Sequence, residues 1–221
     1  MPFCSTRRGS TGERMGLIPD FPDRPDLAGI VKDMRAICRD AWQQGLLSGC
    51  NGNASCRLDG DRICVTRSGA AKGRLQAEDC CLVDLHSGLT LAGGPASTEL
   101  GMHLAIYRAL PDCGAVLHTH PRRLLALSLH PGGNTEDFLR LPLFEAETWR
   151  ARLGCAPALE PGGQALARAV ALAAQQRPAV WMAGHGLCCW GKTLADALCM
   201  SEELEHLAAV QLLALQARPL G

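Results

Sequence analysis

The sequence has few aromatic residues and no surplus of either charge. Aromatic residues make up 4% of its 221 positions and include a single tyrosine, so we expect a core of leucine, valine, isoleucine and alanine. Lysine plus arginine and aspartate plus glutamate number 22 each, which leaves no bulk positive charge for nucleic acid. No apolar run approaches the roughly 20 residues that cross a membrane. An anionic substrate would have to be held by local donors.

Disulfide spacing and a secretory signal are also missing. None of the 12 cysteines forms a CxxC pair, and the adjacent pairs Cys80-Cys81 and Cys188-Cys189 lie in apolar, strand-like runs. Such cysteines are typical of small buried hydrophobic residues in a reducing compartment. The basic N-terminus is not followed by an apolar segment. We therefore expect a cytoplasmic protein.

We expect a flexible tail over residues 1–24 and a folded domain over 25–218. The tail is rich in proline, glycine, arginine and serine, and Met15 could be the true start. Apolar spacing then predicts an α/β domain with a largely antiparallel sheet between helices. The predicted helices cover 25–45, 98–110, 124–129, 164–176 and 194–216, and the predicted strands cover 62–66, 81–85, 89–91, 114–120, 179–183 and 187–190. Residues 48–55 are predicted to be a polar loop, and residues 130–160 show no clear pattern.

Two histidines separated by one residue mark the end of an apolar strand. His118 and His120 follow the run 114–117, and alternate residues of a strand point to the same face. His185 follows another apolar run, at the end of a separate strand. Three neutral imidazoles with an open fourth position form a common catalytic zinc site. The alternative for the first two histidines is a chance pair in a turn.

Three polar segments outside the histidines predict an anion site. They contain Asn53, the pair Ser68 and Gly69, and the pair Ser97 and Thr98. Hydroxyl groups and backbone N–H groups near helix starts bind phosphate readily. Each segment alone could equally be a loop or a helix cap, but together with a metal triad they indicate a phosphate cradle.

One carboxylate and four further histidines remain to be assigned a role. Glu99 lies in the first turn of its helix, where the helix dipole favours a negative charge, and beside a metal it could be a ligand or a general base. His103 follows four residues later and is interpreted as structural. His86, His130 and His206 are expected to be exposed to solvent.

The order of these motifs resembles the class II aldolase/adducin family. Five short motifs carry the resemblance over residues 27–216, namely Gly52–Ser55, Thr66–Gly69, Ser97–Glu99, His118–His120 and His185-Gly186. The resemblance implies a three-layer αβα fold with a central, largely antiparallel sheet. It also implies a homotetramer with sites at the subunit interfaces and a zinc-dependent lyase that acts on a ketose 1-phosphate through a metal-stabilised enediolate.

The resemblance also implies roles for single residues. His118, His120 and His185 would bind one zinc ion per subunit, with Glu99 as a further ligand or acid/base. The substrate phosphate would be bound by Asn53, Ser68, Gly69, Ser97 and Thr98. Two other interpretations remain open: a non-enzymatic adducin-like interaction module, although that branch lacks the metal histidines, and a zinc hydrolase, which would need no phosphate cradle.

Within the family, two branches compete. Residues 65–75 and 184–191 are similar to the methylthioribulose-1-phosphate dehydratases of methionine salvage, whereas residues 156–162 resemble the sugar-phosphate aldolases. The dehydratases use a glutamate shortly after the HxH strand as acid/base, which predicts that role for Glu145. The aldolases use a tyrosine, and the only one here, Tyr107, falls on the apolar face of a helix. We therefore expect dehydration, with retro-aldol cleavage to dihydroxyacetone phosphate as the alternative. A solvated loop containing Glu145 and Glu147 would give neither residue a role.

Overall fold

The computed structural model describes residues 26–129 and 138–217. The predicted tail and His130 lie outside this range. The helices are α1 (Asp26–Gln43), α2 (Leu100–Ala109), α3 (Arg122–Ser128), α4 (Phe144–Arg150), α5 (Gln164–Ala174) and α6 (Leu194–Gln216). The strands are β1 (Asn53–Arg57), β2 (Arg62–Thr66), β3 (Cys80–Asp84), β4 (Thr90–Ala92), β5 (Ala115–Thr119), β6 (Leu153–Ala156), β7 (Ala179–Met182) and β8 (Gly186–Gly191). Single 3-10 turns cover Lys72–Arg74 and Ala77–Asp79.

The strands form one eight-stranded sheet in the order β4-β3-β2-β1-β5-β8-β7-β6. All neighbouring pairs in this sheet are antiparallel except β6 and β7. Two separate apolar clusters cover its faces: α1, α3, α4 and α6 contribute to one, and α2 and α5 to the other. The predicted three-layer αβα architecture with a largely antiparallel sheet is confirmed.

The clearest periodicities predicted their elements well. The α6 helix begins after Thr193, whose hydroxyl accepts the backbone N–H of Asp196, while the Asp196 carboxylate accepts the backbone N–H of Thr193. This reciprocal capping fixes the start of a helix.

The cysteine pairs 80–81 and 188–189 are buried as expected, and all described cysteines are free. None of the described helices is both long and apolar enough to cross a membrane.

The predicted loop over 48–55 is wrong for its last residues, because β1 begins at Asn53. This strand lies near the middle of the sheet, between β2 and β5. Its composition resembles a loop because two of its buried side chains, Asn53 and Ser55, are polar. They are stable there because polar side chains from α2 bind them.

Two elements were not predicted at all, namely α4 and β6 in the unpatterned region 130–160. The helix spans seven residues and the strand four. Phe144 at the start of α4 is exposed, and only Ala146 in this helix is fully buried. Short elements with few buried positions leave little periodicity for sequence reasoning to detect.

Candidate metal centre

The three predicted histidines meet at one end of the central strands. His118 lies on β5, His120 directly follows that strand, and His185 lies in the turn between β7 and β8. Their ring centroids are separated by 4.7, 4.8 and 5.4 Å. One ring nitrogen from each lies within 4.8 Å of the others, which is close enough for all three to bind one metal ion. His118 is buried, and the other two are half-buried.

The tautomer of His118 is fixed by the backbone. Its Nδ1 donates a hydrogen bond to the carbonyl oxygen of Leu187 at 3.0 Å, so Nε2 is the ring nitrogen left to face the cluster. Burial, followed by the proximity of His118, lowers the pKa of His120 to about 4 and also lowers the pKa of His185. Both imidazoles are therefore neutral at pH 7, which is the form that binds metal.

Glu99 adds a carboxylate to the three imidazoles. Its Oε2 lies 3.2 Å from Nε2 of His118, and its Oε1 lies 3.2 Å from Nε2 of His185. Asn53 donates a hydrogen bond from Nδ2 to the same Oε2 at 2.8 Å. Burial by itself would raise the pKa of Glu99, but its contacts with His118, Asn53 and His185 outweigh burial and lower it to about 2. Glu99 is therefore ionised at pH 7.

Several atoms of the cluster fit a bound cation. Nε2 of His118 and Nε2 of His120 lie only 3.0 Å apart. Among the described residues, Glu99 Oε1 and His185 Nδ1 are buried without a hydrogen-bond partner. Neutral imidazoles and a carboxylate are the donor set of many catalytic zinc sites. The arrangement therefore suits a divalent metal ion with positions left for substrate oxygens.

Two glycines allow the backbone to approach His118 closely. A Cβ atom on Gly186 would lie 2.6 Å from the carbonyl oxygen of Thr119 and 3.1 Å from Cε1 of His118. Gly52 has a φ of 71°, and a Cβ there would lie 2.6 Å from the carbonyl oxygen of His118. Any other residue would push the chain away from His118 at either point.

The predicted phosphate-binding segments lie side by side. The backbone N–H of Ser68 donates to the carbonyl oxygen of Pro95, and the N–H of Ser97 donates to that of Thr66. Thr66 also connects this pair to β1, because its hydroxyl accepts the N–H of Ala54 at 3.2 Å.

The side chains in these segments differ in their surroundings. Ser68 is half-buried, and Gly69 and Thr98 are exposed, so solutes can reach all three. Ser97 is buried, and its hydroxyl accepts the backbone N–H of Glu99. Asn53 is also buried and contacts Glu99 and His103. The structure thus brings the segments together, while their binding of phosphate stays a prediction.

Other predicted residues lie apart from this cluster. Glu145 and Glu147 lie in α4 and not in a loop, but both are exposed to solvent, as the alternative interpretation expects. The catalytic role of Glu145 stays a prediction. His86 and His206 are exposed as expected. His103 is buried outside the metal-ligand group, which agrees with a structural role.

Sequence reasoning missed two groups that support the site. Glu205 of α6 accepts the backbone N–H groups of Arg123 and Leu124, and so holds the start of α3 directly after the histidine strand. Lys72 is buried and donates from Nζ to the carbonyl oxygens of Cys50 and Ala70. Burial lowers the pKa of Lys72. A buried lysine is uncommon, and nothing in its sequence context signals it.

The fold and the site together define an αβα protein with a three-histidine, one-carboxylate centre. The model of the family "Class II Aldolase and Adducin N-terminal domain" matches residues 32–212. The chain belongs to this family, as the sequence motifs predict.

Named relatives within the family catalyse different reactions. The chain is 34% identical over 179 residues to the 3-oxo-tetronate 4-phosphate decarboxylase of Haemophilus influenzae, covering 79% of this chain and 83% of that protein. It is 32% identical over 194 residues to the methylthioribulose-1-phosphate dehydratase of Marinobacter nauticus, covering 81% and 91%. The crystal structure of L-fuculose-1-phosphate aldolase from Thermus thermophilus superposes with a TM-score of 0.73 at 28% identity, covering 88% and 98%.

Proposed function

We propose that this chain is a zinc-dependent lyase that acts on a phosphorylated sugar derivative. The observation that carries the proposal is the convergence of three imidazoles and Glu99 within hydrogen-bond distances, beside the adjoining segments of Ser68 and Thr98. An interaction module would have no need of such a donor set.

His118, His120 and His185 are the residues that would hold the zinc ion, one per chain. When bound, the ion would supply Lewis-acid polarisation of a substrate carbonyl. Glu99 is the group placed to move a proton, because its Oε1 faces the cluster and accepts no hydrogen bond from the described residues. Its carboxylate is ionised at neutral pH and so has a lone pair available to accept a proton.

Phosphate binding would hold the substrate while the proton moves. Ser68, Gly69 and Thr98 offer a hydroxyl-rich, accessible surface next to the buried carboxylate. Since the phosphate stays intact in the reaction, these contacts act equally on ground and transition states. Ser97 and Asn53 touch Glu99, so we expect them to affect both binding and turnover.

Dehydration of methylthioribulose 1-phosphate is the reaction that we favour. Curated relatives with that name cover most of the chain, and the segments 65–75 and 184–191 are similar to those dehydratases. Removal of a C3 proton and loss of a hydroxyl require a second acid/base, for which we propose Glu145. A tyrosine acid of the aldolase kind is disfavoured, because Tyr107 is buried and its hydroxyl is hydrogen-bonded to Ser55.

Glu145 makes no hydrogen bond or ion pair with the histidines of its own chain within the described residues. We therefore propose that it acts in the site of a neighbouring subunit, in a cytoplasmic homotetramer with sites at the subunit interfaces.

Decarboxylation of 3-oxo-tetronate 4-phosphate is a second candidate, favoured by the 34% identity to enzymes of that name. Loss of carbon dioxide from a 3-oxo acid converts the neighbouring carbonyl group into an enolate, as proton removal in dehydration and carbon–carbon cleavage in a retro-aldol reaction also do. All three reactions thus require the site to stabilise the negative charge of an enolate. They differ in the groups around the neighbouring carbons.

Product identification separates these activities. The zinc-loaded protein would be incubated in parallel with methylthioribulose 1-phosphate, 3-oxo-tetronate 4-phosphate and fuculose 1-phosphate, with His118→Ala as the inactive control. We expect loss of water from the first compound. Carbon dioxide from the second would establish the decarboxylase, and dihydroxyacetone phosphate from the third would establish the aldolase. Absence of all three products from zinc-loaded protein would contradict the proposal.

A further inference from the structure

A row of buried polar side chains leads from Glu99 into the layer between the sheet and α2. It passes through Asn53, His103 and Ser55 and ends at Tyr107. We refer to these five residues as the relay. Its members are at most 8% exposed, so water contributes little to their hydrogen bonding.

The direction of each hydrogen bond in the relay can be worked out from Asn53. Its Nδ2 donates to Glu99 Oε2 at 2.8 Å, so its Oδ1 faces Nε2 of His103. An amide oxygen can only accept, and therefore Nε2 of His103 must carry a proton.

The remaining two bonds follow from the charge of His103. Burial foremost, together with the proximity of His118, lowers its pKa to about 3, so the ring is neutral at pH 7. A neutral ring protonated on Nε2 has an accepting Nδ1, to which the Ser55 hydroxyl donates at 2.6 Å. The Ser55 oxygen in turn accepts the hydroxyl of Tyr107 at 2.9 Å. Every donor in the relay then points toward Glu99.

We propose that His103 is a positioning residue for Glu99, acting through the amide of Asn53. The Nε2–H of His103 holds Asn53 Oδ1, and this keeps the Asn53 nitrogen directed at the carboxylate. Without that proton the amide could turn, which would place one oxygen acceptor against another and displace Glu99. Because Glu99 lies 3.2 Å from two metal-binding histidines, a small displacement would matter for turnover.

The catalytic part of this inference rests on the proposed function, whereas the proton position does not. Nitrogen-15 NMR of the wild-type protein reads the tautomer of His103 directly, with His103→Gln used to assign the signals. We expect a neutral ring with the proton on Nε2 from pH 6 to pH 8. A proton on Nδ1, or a charged ring in that range, would overturn the proposal even if the protein is a fully active lyase.

A set of variants then tests the positioning. His103→Leu removes both hydrogen bonds, whereas His103→Gln keeps a group that can accept from Ser55 and donate to Asn53. Ile106→Ala is the matched control, since it removes buried packing from the same helix and takes away none of the hydrogen bonds of the relay. We expect kcat to fall about tenfold or more in His103→Leu with zinc content unchanged, and any rise in KM through Asn53 to be smaller than the fall in kcat. The Gln variant should regain most of the loss, and the control should keep its kcat.

Equal losses in His103→Leu and Ile106→Ala, or no recovery in His103→Gln, would show a role in stability alone. If the wild type turns over none of the tested substrates, the proposed function fails instead. Crystal structures of the same variants then decide the positioning. The Glu99 carboxylate should leave its contacts with His118 and His185 in His103→Leu and keep them in His103→Gln. An unmoved carboxylate in His103→Leu would overturn the proposal.

Discussion

Asn53 and His118 lie directly opposite each other on the antiparallel strands β1 and β5. His118 is also paired with Cys188 on β8, so this candidate metal ligand belongs to a strand that is held on both sides. Strands in the middle of a sheet position side chains more rigidly than loops do. The candidate centre is thus built on strands in the middle of the sheet, with Glu99 and His185 approaching it from the start of α2 and from a turn.

Replacing Gly186 with alanine should weaken metal binding. The added Cβ would collide with the Thr119 carbonyl oxygen at 2.6 Å and press on the His118 ring, so the two strand histidines must shift. We expect about tenfold weaker zinc binding or more, measured by competition with a chelator. Gly101→Ala is the control, because nothing lies within 4 Å of a Cβ at that helical position. Identical zinc affinities in both variants would contradict this role of Gly186.

Replacing Ser68 with alanine tests the phosphate cradle. Ser68 is a cleaner test than Ser97 or Asn53, since those two side chains also contact Glu99. Loss of a hydrogen bond to a charged phosphate should raise KM about tenfold or more and leave kcat nearly unchanged. Thr148→Ala, an exposed change on α4, should alter neither constant. A lower kcat with an unchanged KM would argue against phosphate binding by Ser68.

Glu145 is predicted to be the second acid/base of the dehydration. Glu145→Gln should retain its zinc and fold but lose about 100-fold or more in kcat, whereas Glu147→Gln on the same helix should remain active. Near-normal turnover in Glu145→Gln would remove the residue from the mechanism.

Mixed oligomers test whether Glu145 acts across a subunit interface. Glu145→Gln and His118→Ala subunits are each expected to be inactive, but a tetramer that contains both would have some complete sites. Co-expression should therefore restore part of the activity. No restoration in oligomers shown to be mixed would place Glu145 and His118 of the same subunit in one site, or Glu145 in none.

The low pKa of His103 makes the protein sensitive to acid. Burial foremost lowers this pKa from an ordinary value of 6.5 to about 3, so between these values the unfolded chain binds the proton more readily than the folded one. The free energy of unfolding must then decrease as the pH falls below 6.5. For metal-free protein at pH 5, we expect His103 to account for a loss of about 2 kcal/mol relative to pH 7.

Urea unfolding at pH 7 and pH 5 measures this loss. The loss of unfolding free energy between pH 7 and pH 5 should be smaller in His103→Gln by the contribution of His103. It should be unchanged in His206→Gln, which alters an exposed histidine of α6. If the free energy of unfolding falls equally in the wild type and in His103→Gln, the pKa of His103 is the same in the folded and unfolded states.

The sequence predicted the elements whose apolar residues follow one period. The helices α1 and α6 have long amphipathic or capped patterns, and the apolar run before His118 reads directly as a strand. Strand β1 was not predicted, because its buried polar side chains, Asn53 and Ser55, find their hydrogen-bond partners in residues distant in sequence. These hydrogen bonds, which offset the cost of burying polar groups, exist only in the folded protein and leave no pattern in the local sequence.

The residues of the candidate metal centre also carry a signal in the sequence. Chemically distinctive residues at strand ends and a helix start indicated where His118, His185 and Glu99 would meet. The relay carried a weaker signal, since Glu99, His103 and Tyr107 recur every four residues along one helix face. The burial of Lys72 had no signal, because its hydrogen-bond acceptors among the described residues are backbone carbonyl oxygens, which every residue carries.

The most direct test of the account is the metal content of the purified protein. Inductively coupled plasma mass spectrometry would be applied to the wild type and to the single variants His118→Ala, His120→Ala and His185→Ala, with His86→Ala as an exposed control. We predict about one zinc per chain in the wild type and the control, and a loss of both zinc and turnover in each of the other three, because removing one of three ligands costs several kcal/mol of binding. Wild-type protein that stays free of metal after supplementation with zinc, or full zinc and turnover in any of the three variants, would contradict the account.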